Sequence, residues 1–537
     1  MRLRLLLTVA VLGYATFACA AEIPPASTPI EKAIDQLVDE RIENAGVTPA
    51  VQADDATLIR RLTLDLVGRI PSAGEVDAYI KSTDPDKRAK LVDRLIASPG
   101  FVRHQAAQFE VMLDPDGRSR GALRDYLVNA LAANKSWDEM FRELLLPNQT
   151  DSKLKGAAEY LRGRVNDTDK LTNDVSVAFF GVNVSCAQCH NHPHVKDWTQ
   201  DHFYGMKAFL ARTFDNGGFL GERGYGIIKF KPTKGPERTA RMMFLTGAAI
   251  DDVTAEPSSA EMKKEKEALD KAKSAKQPPP EPKFSARAKL VEVALEGKNA
   301  DYFSRSIVNR MWHRFFGTGL VTPLDQMHAE NQPSHPELLA WLASDTASHG
   351  YDLKRLTRGL VMSKAYSRSS QYDSENRPSE RKFAVAKLKP MTPMQLATSL
   401  KIAATDPASF DNLKPEEFEK RIEQLENSAR GFASLIAQPT DNFQIGVGEA
   451  LLFSNGDRVM REYLTDGGGT ALGRVKTMKE PKEAVAFLVK TAYGRPATET
   501  ELKVLTAYVE KRKGREAEAY RQVLWALVTS PEFRFSY

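Results

Sequence analysis

Asp54-Asp55-Ala56-Thr57-Leu58-Ile59-Arg60-Arg61-Leu62, running on through Asp65-Leu66-Val67-Gly68-Arg69-Ile70-Pro71-Ser72, is the stretch that decides the fold class. Two aspartates stand where a helix N-cap is wanted. Leu58, Ile59, Leu62 and Leu66 then recur with helical period. Gly68 stops the helix and Pro71 turns the chain. Asp84-Pro85 opens the next helix, with Leu91, Val92, Leu95 and Ile96 on one face, and Ser98-Pro99 ends it. Arg60, Arg61 and Arg69 are expected on the outer helix face, solvated or salt-bridged. The same logic recurs far along the chain. Gly68-Arg69-Ile70-Pro71-Ser72, Glu75-Val76 and Ser98-Pro99-Gly100-Phe101 correspond to Gly494-Arg495-Pro496-Ala497-Thr498, Glu501-Leu502 and Ser530-Pro531-Glu532-Phe533. Two similar helical hairpins, one towards each end, are expected.

Between them the pattern stays helical. Trp137, Met140, Phe141 and Leu144 have core spacing, and a helix leads through Asp174–Phe180 to a stop at Gly181. Gly226-Ile227-Ile228-Lys229-Phe230 and Met242-Met243-Phe244-Leu245 read as short strands. Ser258 to Lys283, a Lys/Glu run ending in Pro278-Pro279-Pro280, reads as a linker. Beyond it, Ile307, Met311 and Phe315 mark a helix stopped by Gly317. Ser334 with Glu337 reads as a capping box, a stronger reading than a Ser-His nucleophile. No Gly-x-Ser-x-Gly elbow is present, and Gly467-Gly468-Gly469-Thr470 lacks the ending of a phosphate loop. The expected class is mainly α, with a helical module over 28–215, a short β segment and charged Pro-rich linker over 216–285, and a second helical module over 286–537.

Residues 1–21 read as a secretory signal: Arg2 and Arg4, an apolar run from Leu5 to Phe17, then Ala18-Cys19-Ala20 before cleavage. Cys19 as a lipidated first residue fits less well, because Thr16-Phe17-Ala18 is a poor lipoprotein signal. The apolar run is shorter than a membrane-spanning helix requires, and no later stretch looks transmembrane. The expected location is periplasmic, extracellular or cell-surface. The 75 basic and 70 acidic residues nearly cancel, leaving +5. With no basic stripe interleaved with aromatics, no nucleic-acid partner is expected.

The chemistry concentrates in Cys186-Ala187-Gln188-Cys189-His190, followed by Asn191-His192-Pro193-His194. Two thiols a turn apart, then a histidine, is the spacing of covalent c-type haem attachment. The thiols of Cys186 and Cys189 can add to the two vinyl groups of one porphyrin, while His190 offers the iron its proximal imidazole. Of three cysteines, only these two lie outside the signal, and four of nine histidines (His190, His192, His194, His202) share the window. Trp198 is the aromatic residue expected to pack on the macrocycle, although aromatics at such spacing are more often core. Three other readings stand beside this one. The thiols could form a small-loop disulfide in an exported binding or scaffold protein. Cys186, Cys189, His194 and His202 could hold zinc. His192, His194 and His202 could serve a metal-dependent hydrolase, with Asp197 and Asp201 as the only nearby carboxylates. A sixth haem ligand is unassigned among His104, His313, Met327, His328 and His335. A filled sixth position favours electron transfer with an extracytoplasmic redox partner, and an open one small-molecule or peroxide chemistry. No substrate can be read.

Taken together, the stretches around Asp54–Gly68, Leu91-Val92-Asp93-Arg94-Leu95-Ile96-Ala97-Ser98-Pro99 and Cys186–Pro193 resemble the N-terminal half of a family of large secreted bacterial proteins. These are the planctomycete cytochrome-associated proteins of unknown function. Ser306-Ile307-Val308-Asn309-Arg310-Met311-Trp312, Phe316-Gly317-Thr318-Gly319-Leu320-Val321, Pro333–Leu339 and Tyr493-Gly494-Arg495-Pro496 resemble its C-terminal half. The resemblance implies a haem-bearing extracytoplasmic protein and supplies no reaction. Many relatives carry a further N-terminal cytochrome domain; the motifs of this chain start with the second module.

Overall fold

In the computed structural model of the protein, which describes residues 22–119, 121–193, 195–196, 198–251, 256–439, 446–455 and 457–537, the Asp54 carboxylate accepts the Thr57 amide at 2.8 Å. The helix it caps is α2 (Asp55–Val67), following α1 (Ile30–Asn44), and it ends at Gly68 in the left-handed region, φ 74°. There α3 (Ala73–Lys81) begins from a reciprocal Ser72–Glu75 capping box. Then come α4 (Lys87–Ala97) and α5 (Pro99–Leu113), with Ser98 ending one helix and capping the next. α6 (Ala122–Ala132), α7 (Trp137–Leu145), α8 (Ala158–Arg162), α9 (Thr168–Phe180) and α10 (Gln200–Leu210) complete the first helical run. The signal segment and Cys19 lie outside the described residues.

Three small antiparallel pairs follow: β1 (Thr213–Asp215) with β2 (Leu220–Glu222), β3 (Lys229–Phe230) with β4 (Arg238–Thr239), and β5 (Met242–Met243) with β6 (Ala249–Ile250). The charged run after them is not an open linker. It forms α11 (Ser259–Ser274), opened by a Ser258–Glu261 capping box. Its Ala, Glu, Lys and Leu content favours helix, and Lys271 and Lys273 in its last turn suit the helix dipole. It is tethered where the Asn216 amide donates to the Leu269 carbonyl at 3.0 Å. Only beyond Ser274 does the Pro-rich piece run without helix.

The chain continues through α12 (Ala286–Ala294), α13 (Ala300–Phe316), α14 (Pro336–Ser348), α15 (Leu353–Met362) and α16 (Lys364–Ser367). The Ser334–Glu337 capping box does not form. His335 is the N-cap residue of α14, and the Ser334 hydroxyl instead meets His335 Nδ1 at 3.1 Å. After β7 (Lys389–Pro390) come α17 (Pro393–Ala404), α18 (Pro415–Ala433), α19 (Val447–Asn455), α20 (Asp457–Tyr463), α21 (Ala471–Val475), α22 (Pro481–Tyr493), α23 (Glu499–Glu510), α24 (Glu516–Val528) and α25 (Pro531–Arg534). β8 (Phe535–Ser536) closes the chain against β7, with Lys389 opposite Ser536. The protein is mainly α, as the periodicity implies. No described helix is long and apolar enough to cross a membrane.

Two hydrophobic cores organise these helices. The first draws on residues from Ile30 to Val385, and the second on Met391 to Phe533 together with Leu64 and Ile70. The first is centred on aromatic rings from distant helices. Trp137 lies 5.4 Å from Phe109, 5.6 Å from Phe179 and 6.1 Å from Phe303, joining α5, α7, α9 and α13. Rings at these separations add to what their burial contributes. α2 lies between the cores, with Ile59, Leu62 and Leu66 in one and Leu64 in the other.

That position corrects the expectation for Arg60 and Arg61, while Arg69 is salt-bridged to Glu75 as expected but enclosed. Arg60, Arg61 and Arg69 are only 1%, 4% and 3% exposed. Arg60 donates to the carbonyls of Ala492 and Phe533 at 3.3 and 3.0 Å. Arg61 donates to the carbonyls of Tyr366, Arg368 and Tyr537. Several of these acceptors lie at or just before helix ends, where carbonyls lack an intrahelical donor. The forked guanidinium, with five donors, can bridge more than one of them.

Candidate functional site

The Cys-x-x-Cys-His stretch sits on a loop between α9 and α10. α9 stops at Gly181 with φ 67°, as its sequence requires. The chain then pairs with a distant segment: Asn183 N donates to Asp325 O at 2.8 Å, and Met327 N to Gly181 O at 3.0 Å. Asn173 on α9 accepts the amides of Val184 and Ser185 through one oxygen, at 3.0 and 3.1 Å. A single 3₁₀ turn, Ser185–Gln188, follows.

The turn is pinned on three sides. Gln188 donates to Asp169 on α9 at 2.9 Å. Gln200, at the start of α10, donates to the Gln188 carbonyl at 3.2 Å. The Thr233 hydroxyl donates to the Cys189 carbonyl at 3.3 Å. The outward face of the turn carries Cys186 and Cys189, both exposed and both free thiols, so no disulfide joins them. His190 beside them is exposed as well. Its Nδ1 lies 2.7 Å from the Asn191 carbonyl. A carbonyl only accepts, so this contact puts the ring proton on Nδ1 and leaves the Nε2 lone pair for a metal.

The other histidines in the window are held differently. His192 is buried, and its Nδ1 accepts the Val195 amide at 3.0 Å. His202 Nδ1 accepts the Thr199 amide at 3.2 Å within the cap of α10. In each ring the neutral tautomer then carries its proton on Nε2. His194 and Asp197 lie outside the described residues. Among the described residues, no group of three or more His, Cys, Asp or Glu is placed to hold a metal ion. Trp198 is 2% exposed and belongs to the first core. It stands edge-on to His192 at 5.4 Å and to His328 at 5.5 Å.

The distant histidines separate cleanly. The segment holding Met327 and His328 packs against the loop and the Trp198 ring. His104 and His313 line a cavity between the cores, and His335 lines another cleft next to Ser334. Burial, with Arg314, Arg124 and Lys389 adding to it, pushes His104 down to about 3. Burial, with Arg41 and Arg381, does the same to His335. Both rings are neutral at ordinary pH. Sequence reasoning missed the residues that shape the loop, Asn173, Asn183, Gln200 and Asp325. Nothing local marks them, because their partners are set by the fold.

The site's residues fit the demands of a covalently held haem. Two free thiols face outward on one pinned turn, and the adjacent imidazole has its proton committed to a backbone carbonyl. That second hydrogen bond is what an axial histidine needs to hold its tautomer and orientation.

Comparison with known proteins finds two family matches. Residues 33–215 match PSCyt2, described as a protein of unknown function (DUF1549). Residues 286–430 match PSD1, likewise described as a protein of unknown function (DUF1553). These are the planctomycete cytochrome-associated domains that the sequence resembles. No curated protein and no solved structure matches the chain.

Proposed function

We propose that this protein, with its PSCyt2-like region followed by a PSD1-like one, is an exported c-type haem protein that exchanges single electrons with an extracytoplasmic partner. Cys186 and Cys189 would hold the porphyrin as thioethers, each S–H adding across one vinyl group. His190 would bind the iron through Nε2. Bound there, the haem supplies one-electron redox chemistry. The remaining work belongs to the chain. The Asn191 carbonyl keeps the His190 proton on Nδ1. Asp169, Gln200 and Thr233 hold the turn so that both thiols point outward. Trp198, His192 and His328 form a ring cluster beside the loop, with Trp198 enclosed in the first core, the alternative reading for it, and Met327 and His328 the candidates for a further ligand on the segment that packs against the loop.

The observation that carries the reading is the His190 Nδ1 contact to Asn191, beside two free, exposed thiols. The reading is tested on protein made with residues 1–21 in a host with a haem c maturation system. A haem-sized gain in intact mass and a c-type pyridine haemochrome are expected, both lost in the Cys186→Ala/Cys189→Ala double variant. A colourless protein of unmodified mass from that host would falsify it. Zinc content and a thiol count on the same sample would then separate a metal clip from a disulfide scaffold.

A further inference from the structure

A cavity of about 570 Å³ opens where the two cores meet, between α2, α5, α13 and the β7–β8 pair. The volume is that of a small-molecule site. Seven ionisable side chains line it: Asp65, His104, Arg310, His313, Arg314, Lys387 and Lys389. Four are cations and one is a carboxylate.

The lysines are neutralised. Lys389 Nζ lies 2.6 Å from the Asp65 carboxylate and 2.9 Å from the Phe315 carbonyl. Lys387 pairs with Glu380 at 2.7 Å. The arginines are not paired in contact. Among the described residues, neither Arg310 nor Arg314 has a carboxylate at ion-pair distance. Each makes one hydrogen bond there, Arg310 to the Val177 carbonyl and Arg314 to the Gln105 side-chain oxygen. Arg310 Nε is enclosed without a partner. The Arg314 guanidinium lies 4.9 Å over the Phe109 ring, a contact that orients the fork without neutralising it.

Arg310 and Arg314 are four residues apart on α13, so they share one helix face. Burial pushes Arg310 down to about 10 and Arg314 down to about 9, against the opposing pull of Asp325 on the first and Asp65 on the second. His104 stays neutral beside them and adds ring nitrogens without charge. The two guanidinium groups are half-buried, each with a carboxylate near enough to be felt but not in contact, Asp325 for Arg310 and Asp65 for Arg314. An oxyanion in the cavity is the partner whose geometry suits their forks. The rest of the wall includes Met112, Leu324 and Met391, which would suit an apolar body.

We infer that this cavity binds an amphipathic oxyanion, with a carboxylate or phosphate head on Arg310 and Arg314 and an apolar body against Met112, Leu324 and Met391. The site is separate from the Cys-x-x-Cys-His loop and does not rest on the haem reading.

The test is calorimetric titration of the full chain with octanoate, octyl phosphate, inorganic phosphate and 1-octanol, with melting curves alongside. Octanoate or octyl phosphate is expected to bind and raise Tm, and 1-octanol is not. Arg310→Gln/Arg314→Gln should weaken binding at least about tenfold, with the ligand-free melting curve showing that the fold is kept. Single Arg310→Lys and Arg314→Lys variants keep the charge and lose the fork, and each should weaken binding several-fold. They also decide the matter should the double variant not fold. Absence of binding by both amphipathic anions, equal binding of 1-octanol, or binding untouched by the arginine changes would overturn the proposal. Inorganic phosphate binding as tightly as octyl phosphate would overturn the apolar half of it.

Discussion

The two helix–turn corners, one at Gly68 and one at Gly494, are built from the same bonds and sit in different surroundings. In both, a left-handed glycine ends a helix, with φ 74° and 70°. In both, the next arginine donates to a nearby carbonyl at 3.0 Å and forks onto a glutamate six residues on: Arg69 to Glu75, Arg495 to Glu501. That glutamate closes a capping box with Ser72 in one and Thr498 in the other. Ser98 and Ser530 then cap the Phe101 and Phe533 amides at 3.2 and 3.1 Å. The corners face each other. Lys490 reaches Asp77 at 2.5 Å, and a Cβ on Gly494 would lie 3.5 Å from Val76. They differ in two ways: Arg495 also forks onto Glu532, where the first corner has Gly100, and the two corners differ in burial. The Arg69 and Glu75 side chains are 4% and 9% exposed, whereas those of Arg495 and Glu501 are both 23% exposed. The sequence pattern writes the hydrogen bonds, and the packing around them sets what each is worth.

Removing the arginine gives the largest test of that difference. Arg69→Ala leaves buried Glu75 with the exposed Arg94 at 3.5 Å and the Ser72 amide, and should cost about 3 kcal/mol in urea unfolding. Arg495→Ala leaves Glu501 and Glu532 with access to water and should cost about 1 kcal/mol. Equal losses would mean that burial is not what separates the corners.

Acid comes next. Arg69, against the opposing effect of burial, holds Glu75 down from its ordinary 4.5 to about 2. A depressed carboxylate contributes stability that is complete above its ordinary value and is lost as pH falls through the folded one. Between pH 4.5 and about 2, Glu75 should therefore surrender about 3 kcal/mol. Glu501 is also held at about 2, by Arg495, but solvent screens that pair. Stability of Glu75→Gln should be visibly flatter than wild type over this window, and that of Glu501→Gln nearly parallel to it. Parallel curves for both variants would remove the distinction.

The glycines give the smallest contrast. A Cβ at Gly68 would stand 2.4 Å from His104 Nδ1, while at Gly494 the nearest atom is at 3.5 Å. Gly494→Ala meets only the left-handed backbone, about 1 kcal/mol. Gly68→Ala also displaces the half-buried His104 ring, for about 2–3 kcal/mol together. Since Phe101 belongs to the first core and Phe533 to the second, a denaturation with two resolved phases should assign one variant to each.

Much of this was legible locally. The Asp54 cap, the glycine stops at 68, 181, 317 and 494, the core spacing from Trp137 to Leu144, and the likeness of the two corners all depend on neighbours in sequence. What escaped depends on neighbours in space. Arg60 and Arg61 look solvated until the distant carbonyls around them are seen. Ser334 matches a capping box, yet α14 starts one residue later and its hydroxyl turns to His335. A third corner also went unread: Ser363 ends α15 and caps the Tyr366 amide at 3.2 Å, as Ser98 and Ser530 do for their aromatic residues. Its lysine in place of proline hides the likeness. The charged run became a helix because its capping box and composition outweighed its polarity. The inter-core cavity had no sequence signal, since its arginines, lysines and aspartate come from separate stretches of the chain.

α2 also imposes an order in time. Its guanidinium groups find their acceptors between 305 and 476 residues further along the chain. Until those residues have been synthesised, enclosing Arg60 and Arg61 would leave two charges without acceptors, and the early helices gain by staying open to water. Contacts of such long sequence separation form slowly, because a large loop must close before they bring any gain. The first core therefore cannot be sealed by the half of the chain that supplies most of it; an early helix waits, with both charges hydrated, for carbonyls that arrive last.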